Sequence, residues 1–219
     1  MNYIRHTIVP VDPGKKDEML SHLSGQLDAF KSTQGLVGIR VVDAKETENR
    51  IIVTAVYENK AAADVAATKA TAIRDGVAAF VTGPPLVREG EIAWRYVVEG
   101  KENFVLPGYA RYIASGYEPS KFDAMIAYAE SQIDVYKSIE GFRRIFVVPV
   151  SGSEGHPLFQ QSIPSPDNRM IVTAVYDNRE AAVAASEKAN TFWAGMTEFL
   201  TDEPRITEGD FVYGFSFRR

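Results

Sequence analysis

The residues of this chain best suited to chemistry are one histidine and two aromatic side chains on predicted strands. His6 lies on the first strand, where an imidazole can act as a base near neutral pH. Tyr57 ends a later strand and Trp94 lies on the strand after that; each combines an apolar ring with one hydrogen-bonding group, which suits a pocket wall. We predict that His6, Tyr57 and Trp94 are catalytic. The alternatives are structural: a hydrogen-bonded histidine, a packed tyrosine and a core tryptophan.

A second group of residues has the character of substrate-binding groups. Arginines on two strands could hold an anion. Tyrosines later in the chain occupy the positions that correspond, in the internal repeat described below, to those of the catalytic candidates. We predict substrate contacts for Arg5, Arg111, Tyr112, Tyr176 and Tyr213. An ion-paired arginine at a strand edge and a tyrosine with a packing role are the alternatives.

Several kinds of chemistry are excluded by what the sequence lacks. There is no cysteine, which removes disulfides, thiolate nucleophiles and cysteine-ligated metals. The other two histidines, His22 and His156, have no partner at the spacing of a metal-binding motif, so no metal site is expected. Glycine-rich phosphate loops and the serine-nucleophile signature are also absent from the sequence.

The chain contains an internal repeat, which positions these candidates in pairs. The hexapeptide Ile52–Tyr57 (IVTAVY) recurs as Ile171–Tyr176, 119 positions later. Upstream, Tyr3 and Arg5 recur 106 positions later, so the second copy carries a 13-residue insertion. We predict one repeat over residues 1–100 and another over 107–219, with the inserted loop at 151–168.

Each repeat is predicted to fold in the order βαββαβ, the ferredoxin-like split unit. Alternation and β-branched residues indicate strands, and apolar residues at helical spacing indicate helices. In the first repeat we expect strands Tyr3–Val11, Leu36–Val42, Ile51–Tyr57 and Val87–Val98, with helices Lys15–Thr33 and Ala61–Phe80. In the second we expect strands Tyr109–Gly116, Phe142–Val150, Met170–Tyr176 and Ile206–Phe217, with helices Ser120–Ser138 and Arg179–Leu200.

The apolar third strand of each repeat predicts how the repeats pack. A single unit of this type covers only one face of its sheet with helices, and an uncovered apolar face is unfavourable. Ile51–Tyr57 is apolar at nearly every position, as expected when both faces are covered. We therefore expect an α+β fold in which two four-stranded sheets face each other, with the helices outside.

The segment Val53–Ala63 (VTAVYENKAAA), followed by Gly83–Pro85 before a last strand, resembles the antibiotic biosynthesis monooxygenase-like domains. Val172–Ala182 (VTAVYDNREAA) in the second repeat resembles them equally well. The resemblance implies a dimeric α+β barrel, here formed within one chain by two fused ferredoxin-like repeats. Enzymes of this family include cofactor-independent oxygenases acting on polycyclic phenols and heme-degrading oxygenases.

The heme-degrading pattern is not kept in this sequence. Those members use an asparagine on the first strand, a tryptophan ending the third strand and a histidine on the second helix. The matching positions here hold Thr7, Tyr57 and Ala67 in one repeat and Ile113, Tyr176 and Ser186 in the other. We therefore expect no cofactor.

The resemblance predicts a cofactor-independent monooxygenase-like protein acting on a small aromatic or polyketide-like molecule. Its site would be a hydrophobic cavity between sheet and helices, where a few polar groups orient a phenolic substrate and stabilise its anion. Two alternatives remain. One is a non-catalytic ligand-binding or stress-response barrel. The other is an isomerase or decarboxylase, which would need His6 close to an arginine.

Charge and hydropathy indicate the expected partners. The formal net charge of −5 argues against general nucleic-acid binding, which needs a basic face. No apolar run is long enough for a membrane span, and the N-terminal segment lacks a signal-peptide pattern. We expect a cytoplasmic monomer that is a fused pseudo-dimer, or a homodimer of it, binding a small molecule. At most one repeat should hold a working site, the first being favoured, and the inserted loop should cover the cavity mouth.

Overall fold

A computed structural model describes residues 2–45, 49–69, 76–104, 106–151 and 167–217. The first half of the chain contains β1 (Tyr3–Pro10), α1 (Lys16–Gly25), α2 (Leu27–Lys31), β2 (Leu36–Ala44), β3 (Arg50–Tyr57), α3 (Lys60–Lys69), β4 (Leu86–Glu91) and β5 (Trp94–Val97). The second half contains β6 (Tyr109–Gly116), α4 (Phe122–Ser131), α5 (Ile133–Lys137), β7 (Phe142–Val150), β8 (Arg169–Tyr176), α6 (Arg179–Ala184), α7 (Ser186–Met196) and β9 (Arg205–Ser216).

The helices differ from the predicted ones in their continuity. The predicted helices Lys15–Thr33 and Ser120–Ser138 are each two helices, interrupted at Gln26 and at Gln132. The predicted helix Arg179–Leu200 is also divided, and it ends in a 3₁₀ turn at Thr197–Phe199. Of the predicted helix Ala61–Phe80 the structure describes α3 and a 3₁₀ turn at Ala78–Phe80, and residues 70–75 lie outside the described part.

The helix that follows each third strand begins at an asparagine cap. The side-chain oxygen of Asn59 accepts a hydrogen bond from the Ala62 amide at 2.9 Å, and that of Asn178 accepts one from the Ala181 amide at 2.9 Å. Each bond satisfies an amide that has no partner within the first helical turn. Asn59 and Asn178 therefore cap the equivalent helices of the two halves in the same way.

The nine strands of the described residues form one antiparallel sheet in the order β4-β1-β3-β2-β9-β6-β8-β7-β5. The two halves join because β9 pairs with β6 from Arg205 to Asp210 and with β2 from Gly209 to Ser216. On the other side β5 pairs with β7, and Glu89 and Ser151 exchange two backbone hydrogen bonds. The predicted α+β fold of two ferredoxin-like units is confirmed, and its two sheets are continuous.

The core has an inner and an outer part. Helices cover the outer face of the sheet in each half, over residues such as Ile39, Ile51 and Ile145. Apolar residues of both halves pack together on the inner face, among them Ile52 and Ile171. No helix among the described residues is long and apolar enough to cross a membrane.

Candidate functional site

Two rows of side chains cross the inner face of the barrel at the same level. Directly opposed residues on antiparallel strands share a face, so the register defines each row. The first row, in the first half, consists of Arg88, His6, Thr54 and Arg40 on β4, β1, β3 and β2. The second row, in the second half, consists of Thr207, Tyr112, Thr173 and Phe146 on β9, β6, β8 and β7.

A hydrogen-bonded chain joins the two rows through the centre of the barrel. His6 Nδ1 lies 3.0 Å from Thr54 Oγ1, and Thr54 Oγ1 lies 3.0 Å from the Tyr112 hydroxyl. The rings of His6 and Tyr112 meet edge to face with centroids 5.6 Å apart. His6 is only 1% exposed, and its Nε2 has no hydrogen-bond partner among the described residues. A buried ring nitrogen without a partner is unusual, and it indicates a group available to a ligand.

Burial keeps both rings of this chain uncharged. The pKa of His6 is lowered to about 3, first by burial and then by the positive charge of Arg40. Burial raises the pKa of Tyr112 to about 12, although its hydrogen bond with Thr54 and the charge of Arg40 act in the opposite direction. At neutral pH the site therefore holds a neutral imidazole and a neutral phenol.

His6 and Tyr112 line a cavity of about 470 Å³ inside the barrel, which we call the His6 cavity. Aliphatic residues form the apolar part of its wall: Ile8, Ile52, Leu86, Ala114, Val150 and Ile171. Charged residues also line it: Arg50, Arg88, Arg169, Arg205 and Asp202. Asp202 forms an ion pair with Arg169. The pKa of Arg88 is lowered by burial and by the charge of Arg169, so positive charge is concentrated beside an apolar chamber.

The three predicted catalytic residues are not brought together. His6 faces the barrel interior, whereas Tyr57 packs on the outer face of β3, with the Arg5 guanidinium carbon 5.6 Å from its ring centroid. Trp94 packs on the outer face of the second half, and its Nε1 donates to Glu130 Oε2 at 3.0 Å. Only His6 of this set lines the His6 cavity.

Four of the five predicted substrate contacts also lie on the outer face. Arg5 Nε donates to Glu89 Oε2 at 2.5 Å and Nη1 to the Ala63 carbonyl at 2.9 Å. Arg111 Nε donates to Glu208 Oε2 at 2.7 Å. Tyr176 lies beside Arg111, and Tyr213 packs with Val41 against the helices of the first half. Tyr112 alone meets His6.

The space between sheet and helices is small in the second half. A void of about 30 Å³ lies beside Arg111, Tyr176 and Trp193, with room for only a water or two. The chamber that contains His6 therefore lies inside the barrel, not in the predicted place between sheet and helices. Of the predicted loop 151–168, residues 152–166, with His156, lie outside the described part; Val150 and Arg169 beside it line the His6 cavity.

Sequence reasoning missed Thr54, Arg40 and Arg88. Thr54 is hidden in the repeated hexapeptide IVTAVY, whose two copies suggest a shared structural role. Its contact with His6 depends on the pairing of β1 with β3, and the positions of Arg40 and Arg88 depend on the registers of β2 and β4. Alternation along β3 was the available signal, since it assigns Thr54 to the face opposite Tyr57. Among the described residues no group of three or more histidine or acidic side chains could hold a metal ion.

Comparison with solved structures identifies the fold. A candidate monooxygenase from Fusobacterium nucleatum superposes with a TM-score of 0.74 at 11% identity, over 98% of this chain and 94% of the other. An anthrone oxidase-like protein gives 0.69 at 13% identity, over 98% and 93%. A ferredoxin-fold protein from Listeria monocytogenes related to antibiotic biosynthesis monooxygenases gives 0.52 at 4% identity, over 97% and 96%. No family model matches the chain, and no curated protein matches it.

These similarities place the chain in a structural class. It has the ferredoxin-like α+β fold of proteins related to antibiotic biosynthesis monooxygenases, over nearly its whole length. The fold expected from the resemblance is thus confirmed. Identities of 4–13% establish the fold alone, because one fold hosts many activities.

Proposed function

We propose that this protein is a cofactor-independent monooxygenase-like enzyme that oxidises a small aromatic or polyketide-like molecule in the His6 cavity. The observation that supports this most directly is the unpartnered Nε2 of His6, buried beside an apolar chamber of about 470 Å³. A chamber of this size fits a small polycyclic molecule. The names of the structurally similar monooxygenase candidate and anthrone oxidase-like protein agree with the proposal.

In the proposed reaction the substrate supplies the electrons for oxygen. His6 Nε2 takes a proton from a CH₂ group acidified by neighbouring rings, and the resulting carbanion adds to O₂. The peroxide takes the proton back and becomes a hydroperoxide. Loss of water then leaves a carbonyl, so one oxygen atom enters the product and the other leaves as water. Atoms and electrons balance without a reductant.

The chain through Thr54 prepares His6 for this role. When His6 donates its Nδ1 proton to Thr54 Oγ1, Thr54 donates to the Tyr112 oxygen, and the Nε2 lone pair is directed toward the substrate. A pKa of about 3 makes free His6 a weak base. An anion formed beside the ring raises that pKa, because opposite charges stabilise each other. Arg50 and Arg169, which line the same cavity, stabilise the same anion.

The proposed reaction takes place on the inner face of the barrel, and not in the space between the sheet and the helices that the resemblance predicted. Tyr57, Trp94, Arg5, Arg111, Tyr176 and Tyr213 then act as supports of the fold in this proposal. Tyr112, proposed as a substrate contact, keeps its place beside the bound molecule.

Oxygen uptake with anthrone and a panel of quinols, each measured against a protein-free blank, tests the proposal. We expect uptake with formation of the carbonyl product, and a decrease of about a hundredfold in rate for His6→Ala, the usual scale of a lost general base. His22→Ala is the matched control, because His22 lies on α1 outside the barrel. Uptake at the blank rate across the panel, or equal losses in both variants, would refute the proposal.

The alternative is a barrel that binds a ligand without changing it. The low pKa of His6 supports this alternative, since a neutral imidazole makes a good hydrogen-bond partner even where it makes a poor base. Saturable binding of the panel compounds without oxygen uptake would favour it. Conversion of a compound without oxygen uptake would instead favour an isomerase or decarboxylase, for which the arginines beside His6 would supply the anion-binding group.

A further inference from the structure

A second cavity lies at the other end of the barrel. It has a volume of about 360 Å³, and we call it the Arg40 cavity after the buried arginine that lines it. The two cavities lie at opposite ends of the same strands. On β3, for example, Ile52 lines the His6 cavity and Val56 lines the Arg40 cavity. The Arg40 cavity is therefore a separate chamber, with the central hydrogen-bonded chain lying between the two.

Two buried guanidinium groups meet the Arg40 cavity without a carboxylate partner. Arg40 is 7% exposed, and among the described residues it has neither a hydrogen bond nor an ion pair. Arg144 is 5% exposed; its Nη2 donates to the carbonyls of Lys101 and Asn103 at 2.7 and 2.9 Å, and its Nε has no partner. Glu102 also lines the cavity, but it is exposed and accepts from the Gly100 amide at 3.0 Å.

Three other arginines of the barrel, two of them buried and Arg111 half-buried, each form a salt bridge with a carboxylate. Arg5 pairs with Glu89, Arg111 with Glu208, and Arg143 with Asp177 at 2.6 Å. A buried charge is costly unless an opposite charge compensates it, and these three follow that rule. Arg40 and Arg144 line a cavity and form no salt bridge among the described residues; the exposed Glu102 carboxylate acts on the charge of Arg144 only from a longer distance. The neighbouring charges of Arg40 and Arg143 add to burial in lowering the pKa of Arg144 to about 9.

We propose that the Arg40 cavity is a second binding site, specific for a small organic carboxylate. The carboxylate would lie between Arg40 and Arg144, whose planar groups match it in two-point contacts. The hydrocarbon part would pack on Val56, Phe146 and Phe217. These walls favour an organic anion over an inorganic one, because a bare phosphate would leave most of the cavity unfilled.

The sequence supports a specialised site. At the offset of 106 positions, Arg40 corresponds to Phe146 and Arg144 to Gly38, so neither arginine has a counterpart in the other half. Arg5 and Arg111, by contrast, correspond to each other and serve the fold in the same way. Arg40 and Arg144 thus break the internal symmetry at one cavity.

Benzoate titration followed by amide NMR tests the proposal in the intact chain. Ionic strength is held constant with sodium chloride, and inorganic phosphate forms a parallel titration. We expect benzoate to produce saturable shifts at the amides of Val56 and Phe146, and phosphate to bind more weakly. In Arg40→Met the benzoate affinity should fall by about tenfold or more, the effect of losing a charged hydrogen bond. Arg179→Met is the matched control, because Arg179 is an exposed arginine on α6 that does not line the cavity.

Three results would overturn the proposal: no saturable shift at Val56 and Phe146, shifts confined to Ile8 and Ala114 in the His6 cavity, or equal affinity in Arg40→Met and the unaltered protein. If Arg40→Met does not fold, Arg40→Lys replaces it, since lysine keeps the charge but lacks the planar two-point contact. The benzoate affinity of that variant must then fall as well. The test is independent of oxygen chemistry, so it stands whether or not the His6 cavity is catalytic.

Discussion

At the scale of single residues, the first strands of the two halves separate scaffold from site. Two outer positions are identical in both halves, whereas the inner positions beside them differ. The identical outer pairs are Tyr3 with Tyr109 and Arg5 with Arg111. The differing inner pairs are Ile4 with Ala110, His6 with Tyr112 and Ile8 with Ala114. The identical pairs make contacts that maintain the fold, and two of the differing pairs, His6 with Tyr112 and Ile8 with Ala114, line the His6 cavity.

Burial of His6 should make the stability of the protein depend on pH. Its pKa falls from 6.5 in the unfolded chain to about 3 in the folded protein, so the unfolded state binds more protons between these values. Stability contributed by the neutral ring is complete above pH 6.5 and is lost as pH falls toward 3. Between pH 6.5 and pH 4.5, protonation of His6 should lower the free energy of unfolding of the unaltered protein by about 2 kcal/mol. We expect this part of the decrease to be absent in His6→Gln.

Urea denaturation at several pH values measures this effect. His22→Gln is the control, since it removes a histidine from α1 and leaves the barrel interior unchanged. The control should retain the slope of the unaltered protein. An equal slope in His6→Gln and the unaltered protein would show that His6 is not held neutral.

At the scale of elements, the fourth strand of each half closes the barrel. The repeated dipeptide Glu–Gly, at Glu89–Gly90 and Glu208–Gly209, has the same two functions in both strands. The glutamate pairs with a buried arginine of the neighbouring first strand. The glycine lets the strand approach the other half, because a Cβ on Gly90 would overlap the carbonyl oxygen of Pro149, and one on Gly209 that of Asp43.

Alanine at either glycine should therefore weaken the junction between the halves. We expect Gly90→Ala and Gly209→Ala each to lower the free energy of unfolding by about 1–3 kcal/mol, the usual cost of an overlap that requires a backbone shift. Gly25→Ala is the control, because a Cβ there meets nothing within 4 Å. Chemical denaturation of the three variants measures the difference. Equal stability of Gly90→Ala and Gly25→Ala would contradict the close approach.

The sequence predicted the positions of the strands and helices better than it predicted which strands pair with each other. Alternation and helical spacing predicted both third strands and the start of α3 to within a residue, since these signals are local. The last strand of the first half, predicted as Val87–Val98, is divided into β4 and β5 in the structure. This division could not be predicted, because it depends on the change of pairing partner at Trp94, where β5 begins to pair with β7 of the second half. The candidate site shows the same limit: His6 could be selected by its residue type, whereas Thr54 and Arg40 lie beside it only through strand register.

At the scale of the whole molecule, the closed barrel holds two chambers with one polar centre between them. Apolar residues of both halves fill the rest of the inner face. His6 reaches the first chamber and Arg40 the second, and both stand beside Thr54 in the same row. The positive charge of Arg40 is one cause of the lowered pKa of His6, so the state of one chamber affects the chemistry of the other.

Removing that charge should change the titration of His6. In Arg40→Met we expect the pKa of His6 to rise by about one pH unit or less, because burial, the larger cause of its low value, remains. NMR titration of the His6 ring protons from pH 7 to about pH 2, below the pKa of about 3, measures the shift. Arg95→Met removes an exposed charge from the same cavity and should leave the titration unaltered. If His6 titrates alike in Arg40→Met and the unaltered protein, the two chambers are electrostatically independent. If it moves as expected, a carboxylate bound at Arg40 should raise the basicity of His6 in the same direction, because it neutralises the same charge.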